Sequence, residues 1–463
     1  MRRLYFFTRI AIIFAGFLVS IPSKAQEYVG LFTDNYAGVH AMHVQPASLA
    51  STPYKWDINI ISADLIGYNA EFFTNLAVAD RFNEVGKGSF FRGLTDGENS
   101  YLINVGVMLP SVSYSINDKS SVSFSTRVRA KTNIETNDSN IMSLIIDDFE
   151  DSADYGKTFV NGDLSANFNT WIEYNFNYAR EVLRKDNHVM RVGIAPKLIS
   201  GTGSGYFSIN DLNFTVEDRT RLSGIDGDVF FGYSSSIDDV LNGEIGLLRN
   251  ISFGLNLGVE YEFRKTGYED LTGNEFDPGY TWKVGLSYID HGSLKYEIKN
   301  ANSQFIADIL ELDLDNIRAI SSVEALADTL SSILDESVGR DEYRMSLPST
   351  FSVQIDRRIT DHFYANFSTF IRTKGQGVFQ INRPNQYFLT LRYQKRKWGA
   401  QLPLSVNSIS GTRVGLAGRY GMFSLGSADI FSALFSSDPQ KFNLYLALKF
   451  RIWKDQYKRV KKG

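Results

Sequence analysis

The chain contains no cysteine. Disulfide staples, thiolate nucleophiles and thiolate metal sites are therefore excluded, as is the lipid anchor that bacterial lipoproteins attach through an N-terminal Cys. It has only 10 prolines and five histidines in 463 residues. No stretch after the first 25 residues holds 18 consecutive apolar side chains, so no transmembrane helix follows the N-terminus. There is no basic excess either: 48 Lys and Arg stand against 52 Asp and Glu, which argues against a nucleic-acid footprint. No Gly-x-Ser-x-Gly elbow is present. Gly201-Thr202-Gly203-Ser204-Gly205 is followed by neither Lys-Ser/Thr nor a helical pattern, and it reads as a loop tip, not a phosphate cradle.

What the chain does have is aromatic side chains, 14 % of residues, with 24 Tyr and 34 Phe. Few prolines and many aromatics favour strands over disorder. The first 25 residues form a secretory signal: Arg2, Arg3 and Arg9, an apolar run from Ile10 to Val19, and small residues at Ser23 and Ala25. The mature chain is expected to begin at Gln26. Removing residues 1–25 takes away four basic residues (Arg2, Arg3, Arg9, Lys24) and no acidic one, leaving 44 basic against 52 acidic.

The clearest pattern is Ile251 to Arg264. Ile251, Phe253, Leu255, Leu257, Val259, Tyr261 and Phe263 alternate with Ser252, Gly254, Asn256, Gly258, Glu260, Glu262 and Arg264. A strand places successive side chains on opposite faces, so one face is apolar and the other polar. The device recurs in Val122 to Lys131, Ile172 to Tyr178, Met190 to Ala195, Trp282 to Tyr288, Phe363 to Ile371, Tyr387 to Tyr393 and Leu444 to Ile452. Short connections are expected near residues 118, 186, 291, 360 and 396, and long ones at 70–100, 133–168, 265–280, 300–346, 373–386 and 428–441. Short turns at one end and long loops at the other is the asymmetry of bacterial outer-membrane barrels. A soluble sandwich also alternates, but the 251–264 stretch far exceeds the ~5–6 residues of an ordinary strand.

The expected fold is therefore all-β: a transmembrane antiparallel β-barrel of 14–16 strands over residues 56–453, preceded by a luminal segment at 26–55 and followed by a basic tail at 454–463. Residues 304–338 break the strand pattern. Val323, Leu326, Leu330, Ile333 and Leu334 have helical spacing, and Ser321 with Glu324 fits a capping box, so a helical loop insertion is expected there. On the polar faces, Arg127, Arg129, Lys131, Glu173, Arg191, Glu260, Glu262, Arg264 and Lys283 are the candidates for the lumen. Their signs are mixed, so they either pair across the barrel or line a polar path. His40 and His43 lie three apart without a third ligand at useful spacing, so neither metal nor cofactor is expected.

Tyr36-Ala37-Gly38-Val39-His40-Ala41-Met42, followed by Gln45-Pro46-Ala47-Ser48-Leu49-Ala50, resembles the small-residue run and Asn-Pro-Ala-x-Leu-Ala motif that precede the first strand in a family of Bacteroidota outer-membrane β-barrels. That family distantly resembles FadL-like transporters and the PorV-type barrels of a secretion system. Gln45 stands where the motif has Asn. The resemblance implies that residues 27–53 plug the lumen, with Gln45, Pro46, Ala47 and Leu49 as the plug motif. It implies a Gram-negative outer membrane, with lipid and lipopolysaccharide around the wall. Phe450 and Trp453 near the end of the last strand suit the barrel-insertion machinery. Two functions stay open: a passive channel for small solutes, hydrophobic ones among them, and a non-enzymatic scaffold with a secretion or surface-protein partner. An enzyme is not expected.

Overall fold

The computed structural model describes residues 30–457, apart from 69–98, 139, 142–143, 145–147, 237–245, 265–275, 299–302, 319–328, 330–334, 337–341, 374–376, 378, 382, 384, 408–410 and 432–440. The strands are β1 (Tyr54–Tyr68), β2 (Asn99–Met108), β3 (Ser111–Ser115), β4 (Ser120–Thr136), β5 (Thr158–Lys185), β6 (His188–Val216), β7 (Arg221–Tyr233), β8 (Ile251–Arg264), β9 (Tyr280–Glu297) and β10 (Ser303–Asp313). They continue as β11 (Asp335–Glu336), β12 (Glu342–Ser346), β13 (Thr350–Arg358), β14 (Phe363–Arg372), β15 (Gln386–Gln394), β16 (Trp398–Asn407), β17 (Gly411–Val414), β18 (Leu416–Tyr420), β19 (Phe423–Ser427) and β20 (Lys441–Trp453). All join one antiparallel sheet, which closes where β1 pairs with β20, from Tyr54 opposite Trp453 to Tyr68 opposite Lys441.

Several of these strands are segments of one stave. β2 runs on into β3 past Pro110, β12 into β13 past Pro348, and β17 into β18 at Gly415. β7 and β8 share a stave as well. Both pair with β6, Gly205 opposite Tyr233 and Ser200 opposite Ile251, so β7 and β8 follow one another along the same neighbour. β10 extends the β9 stave beside β7. The result is a closed barrel of 14 staves. Among the described residues no helix is long and apolar enough to cross a membrane. Closure removes edges and satisfies the backbone internally, as a spanning sheet must.

The faces obey the alternation. Phe253, Leu257, Val259, Tyr261 and Phe263 are exposed on the outside, while Asn256, Gly258, Glu260, Glu262 and Arg264 are buried inside. Outward aromatics gather near the short turns: Trp56 against Tyr114, Tyr261 and Phe263 beside His188, and Tyr393 against Trp398. This is the interfacial girdle of a membrane barrel. β5 and β6 have 28 and 29 residues. At ~3.3 Å per residue each is roughly 90 Å long, against a hydrocarbon core of about 30 Å. Their far ends, with β7 and β10, therefore stand clear of the bilayer and carry their own apolar core around Leu212, Phe214, Val216, Leu222, Ile225 and Val229.

Four expectations need correction. Asp290-His291-Gly292 is not a turn but an irregularity inside β9, with φ of 54° at Asp290 and 146° at Gly292. Turn-forming residues also make bulges, and here the ladder continues on both sides. As a consequence the 265–280 connection lies at the short-turn end, because Phe263 sits opposite His188. Gly201 to Gly205 is not a loop tip but part of β6, where a Cβ on Gly201 would come within 2.8 Å of the Tyr296 ring. Finally, Ser303–Asp313 is strand, and Leu314–Arg318 is the helical part of the insertion's start. Pairing with β7 from Ser303 to Asp313 overrides local propensity. Ser321, Val323, Glu324, Leu326, Leu330, Ile333 and Leu334 lie outside the described residues.

Leu257 faces outward halfway along β8. Leu257→Arg is expected to cost roughly 2–4 kcal/mol in reversible unfolding from bilayers, the scale for a cation at the mid-depth of a lipid-facing barrel wall. An unfolding midpoint equal to that of the parent would contradict a lipid-facing β8.

Candidate functional site: the plugged lumen

Residues 30–53 lie inside the barrel as two six-residue 3₁₀ helices, Gly38–His43 and Pro46–Ser51, with connecting turns. Gln45 caps the second turn by accepting from the Ala47 N–H at 3.3 Å, and Pro46 at its first position gives up no needed donor. Gln45, Pro46, Ala47 and Leu49 are all buried.

The wall is cut to receive this turn. Gly193, Gly258 and Gly285 face inward on the neighbouring strands β6, β8 and β9. A Cβ on Gly193 would lie 2.3 Å from the Pro46 carbonyl carbon, and one on Gly258 2.0 Å from Gln45 Oε1. Through this slot Gln45 Nε2 donates to the backbone oxygens of Val259 (3.2 Å) and Leu286 (3.3 Å), one on each side of the β8–β9 ladder. Asn177 Nδ2 donates to the Pro46 oxygen at 3.2 Å and Ser287 Oγ to the Val44 oxygen at 2.6 Å.

The first half of the segment is held by charge. Asp34 accepts from Gln401 Nε2 and Arg419 Nε, both at 3.1 Å. The Arg419 guanidinium also lies over the Tyr36 ring. Asp57 accepts from the Val39 N–H at 2.7 Å and pairs with Lys449 at 3.0 Å, while Lys449 donates to the Ala37 oxygen. Gly38, at φ 57°, lets the chain press against Asp57 where any Cβ would collide. At the short-turn mouth, Tyr36, Tyr54, Phe276, Trp453 and Tyr457 close over it.

The wall residues named from the sequence all sit on the inner face, in two groups. Arg129 and Glu173 (2.8 Å) join Lys197 and Asp290 (2.5 Å) in one network, with Arg129–Asp290 at 3.2 Å, Lys197–Glu173 at 3.4 Å and Trp171 Nε1 donating to Glu173. Arg191 pairs with Glu260 (3.0 Å) and Glu262 (2.6 Å) in the other, with Arg264 on Glu262 and Lys283 on Glu260. Arg127 and Lys131 are buried on the same face of β4 as Arg129. The sequence reading missed Lys197, which shares the parity of Arg191, and Asp57, Lys449, Asp356 and Arg392, which lie on alternating strands. It could not have found Asp290, which the bulge turns inward out of phase.

Between the plug and the short-turn end is a cavity of about 280 Å³, lined by Arg191, Glu260, Glu262, Lys283, Gln354 and Asp356 among others. Beyond the plug, at the long-loop end, the lumen is filled by Trp171, Tyr206, Tyr296, Tyr343, Met345 and Ile381. Among the described residues no three His, Asp or Glu side chains converge as a metal site. His40 meets Ser62 Oγ at 2.8 Å and His43 lies 3.4 Å from Ser125 Oγ. Burial pushes both imidazoles well below the usual range, helped by Lys449 beside His40 and Arg127 beside His43.

Two outcomes follow for the plug. Gly193→Ala puts a Cβ into plug backbone, which cannot swing aside, and is expected to cost about 1–3 kcal/mol of seating. Protease protection of residues 30–52 should fall, while Gly418→Ala, whose Cβ meets nothing nearer than 3.9 Å, should leave it unchanged. The two histidines set the pH dependence. Their seated pKa is depressed, so the released plug binds more protons below about 6.5, and seating is complete above that pH and weakens as pH falls. The protection factors of amides 38–51, each exchange rate being referred to the intrinsic rate at the same pH, should fall from pH 7 to pH 5; constant protection over that range would contradict the assignment.

No curated protein matches the chain in sequence. Among solved structures, it is similar to the Ralstonia pickettii toluene transporter TbuX, at 11% identity and TM-score 0.43 over 90% of this chain and 94% of that one. It is similar also to the Pseudomonas putida toluene transporter TodX, at 10% identity and TM-score 0.32 over 92% and 95% of the two chains. The translocator domain of the autotransporter NalP from Neisseria meningitidis matches at 5% identity and TM-score 0.30, over 86% of this chain and 89% of that one. A family model matches residues 46–428, from the Pro46 turn of the plug to the end of β19: the chain belongs to the family of unknown function DUF5723.

Proposed function

We propose that this chain is a non-enzymatic passage for small solutes through the outer membrane of a Gram-negative bacterium, reached by way of a cleaved signal peptide and held shut at rest by its N-terminal segment. The observation that carries the reading is how the plug is held. It meets the wall through hydrogen bonds between side chains and backbone, the Asp34–Arg419 ion pair, small residues set against glycines, and several separate small apolar contacts instead of one continuous core. A segment held largely by polar contacts can leave and return by exchanging those bonds for water, opening only small apolar clusters as it goes. The lumen also changes character along its length. A charged vestibule lies at the short-turn end and an aromatic cluster at the other, which favours a solute with an apolar body and a polar group.

The test uses the absence of native cysteine. Val44 and Ser287 touch in the plug seat. Replacing both with Cys and joining them with a short thiol crosslinker fixes the plug to the wall. Proteoliposomes holding the reduced, full-length chain should show solute-selective influx across a panel of small aromatic, aliphatic and polar compounds, and crosslinking should abolish it. Influx that ignores the crosslink would refute the plug as the closing element. No influx for any compound, together with stoichiometric recovery of a surface protein from solubilised membranes, would favour the scaffold reading, to which the protruding β5–β6–β7–β10 sheet with its own apolar core lends itself.

A further inference from the structure

Phe379, Gln380, Ile381 and Arg383 belong to the connection between β14 and β15, at the end of the barrel away from the short turns. They turn into the lumen. The Ser346 N–H donates to the Phe379 oxygen at 2.9 Å and the Ile381 N–H to the Ser346 oxygen at 3.0 Å, a parallel pairing with the end of β12. Asn167 Nδ2, on β5, donates to the Gln380 oxygen at 3.3 Å. β5 and β12 are staves four apart, and β14 and β15 lie beyond β12, so this short stretch crosses the lumen. The Phe379 ring meets Tyr206 of β6 edge-on at 4.7 Å and Tyr343 of β12 at 6.4 Å. Ile381 is buried among Trp171, Tyr296 and Met345.

Arg383 carries the crossing down to the plug. It pairs with Asp290 at 3.4 Å, joining the network of Arg129, Glu173 and Lys197, and its guanidinium lies over the Phe370 ring. Phe370 also meets the Phe32 ring of the plug at 5.6 Å, edge-on. Plug and inturned stretch therefore abut through one side chain of the wall, each with its own anchors: Asp57, Lys449 and the glycine slot for one, Ser346, Asn167 and Asp290 for the other.

We propose that Phe379, Gln380, Ile381 and Arg383 form a second closure of the lumen, in series with the N-terminal plug and meeting it at Phe370, so that a solute passes only when both have moved. The proposal rests on the lumen being a passage. It explains why aromatic side chains fill the long-loop end although the plug alone already blocks the barrel. The backbone pairing with Ser346 can be exchanged for water, while moving Phe379 and Ile381 opens the aromatic cluster they pack into.

Thr350 reports on the space between the two closures. It is fully buried, faces inward on β13 and lies opposite Ile289, which belongs to the same apolar cluster as the plug residues Phe32 and Val44. In the otherwise cysteine-free chain, Thr350→Cys is probed with a membrane-impermeant maleimide from the cell surface or from the periplasmic side. A thiol reached only in the roughly 1 % of molecules that are open gains about 100-fold in labelling rate once its cover is removed. Combining Phe379→Ala, Ile381→Ala and Arg383→Ala should give that gain from the surface and none from the periplasm. Gly193→Ala, which unseats the plug, should give the converse. Equal surface rates with and without the triple change, or surface access opened by Gly193→Ala alone, would overturn the proposal. Heat-modifiable migration shows that each barrel is closed, and Arg383→Ala alone replaces the triple variant if that one does not assemble. If labelling behaves as expected while the doubly opened barrel admits no solute, the two closures stand and the passage reading falls.

Discussion

The pair Asp57–Lys449 ties barrel closure to plug seating. Asp57 is on the first stave and Lys449 on the last, so the two meet only once β1 has zipped onto β20. Both are fully buried on the inner face, and both spend their remaining hydrogen bonds on plug backbone, Asp57 on the Val39 N–H and Lys449 on the Ala37 oxygen. An open sheet would leave each charge without its counter-ion. A closed barrel without the plug would leave a carboxylate and an ammonium partly unsatisfied in a narrow space. Closing the seam therefore makes the seat, and the occupied seat stabilises the seam.

The same logic runs through the rest of the lumen. A membrane barrel is inverted: its apolar face meets lipid and its charged face is enclosed. Charges withdrawn from bulk water need partners with good geometry, and removing one partner costs more than the pair contributes. The networks centred on Asp290 and on Arg191 satisfy this by sharing each ion among several of opposite sign. They give the wall a rigid inner lining around the plug.

The alternation of side chains made the architecture legible from the sequence. Ile251 to Arg264 showed its two faces, and the parity of Arg127, Arg129, Lys131, Glu173, Arg191 and Lys283 placed each on the inner wall. The Gln-Pro-Ala segment was recognisable as a plug motif from its resemblance to the family's Asn-Pro-Ala motif, since it carries no strong periodic pattern of its own. Gln45 in place of Asn proved informative once the slot was visible, since its longer side chain spans two strands to reach Val259 and Leu286. Where the reading failed, the residues were ambiguous by type: Asp290-His291-Gly292 suits a turn or a bulge, and Ser303–Asp313 suits a helix or an edge strand.

By itself, the sequence determined which half of each strand meets lipid and which is enclosed, because side-chain direction in a strand depends only on position parity. It also determined that the fold is closed by backbone pairing and burial, since no cysteine is available. Which enclosed charges become partners, which glycines face the plug, and which connection turns inward were decided only by the tertiary structure. Those contacts join residues far apart in the chain, and their register depends on stave order, bulges and shear that no local pattern encodes.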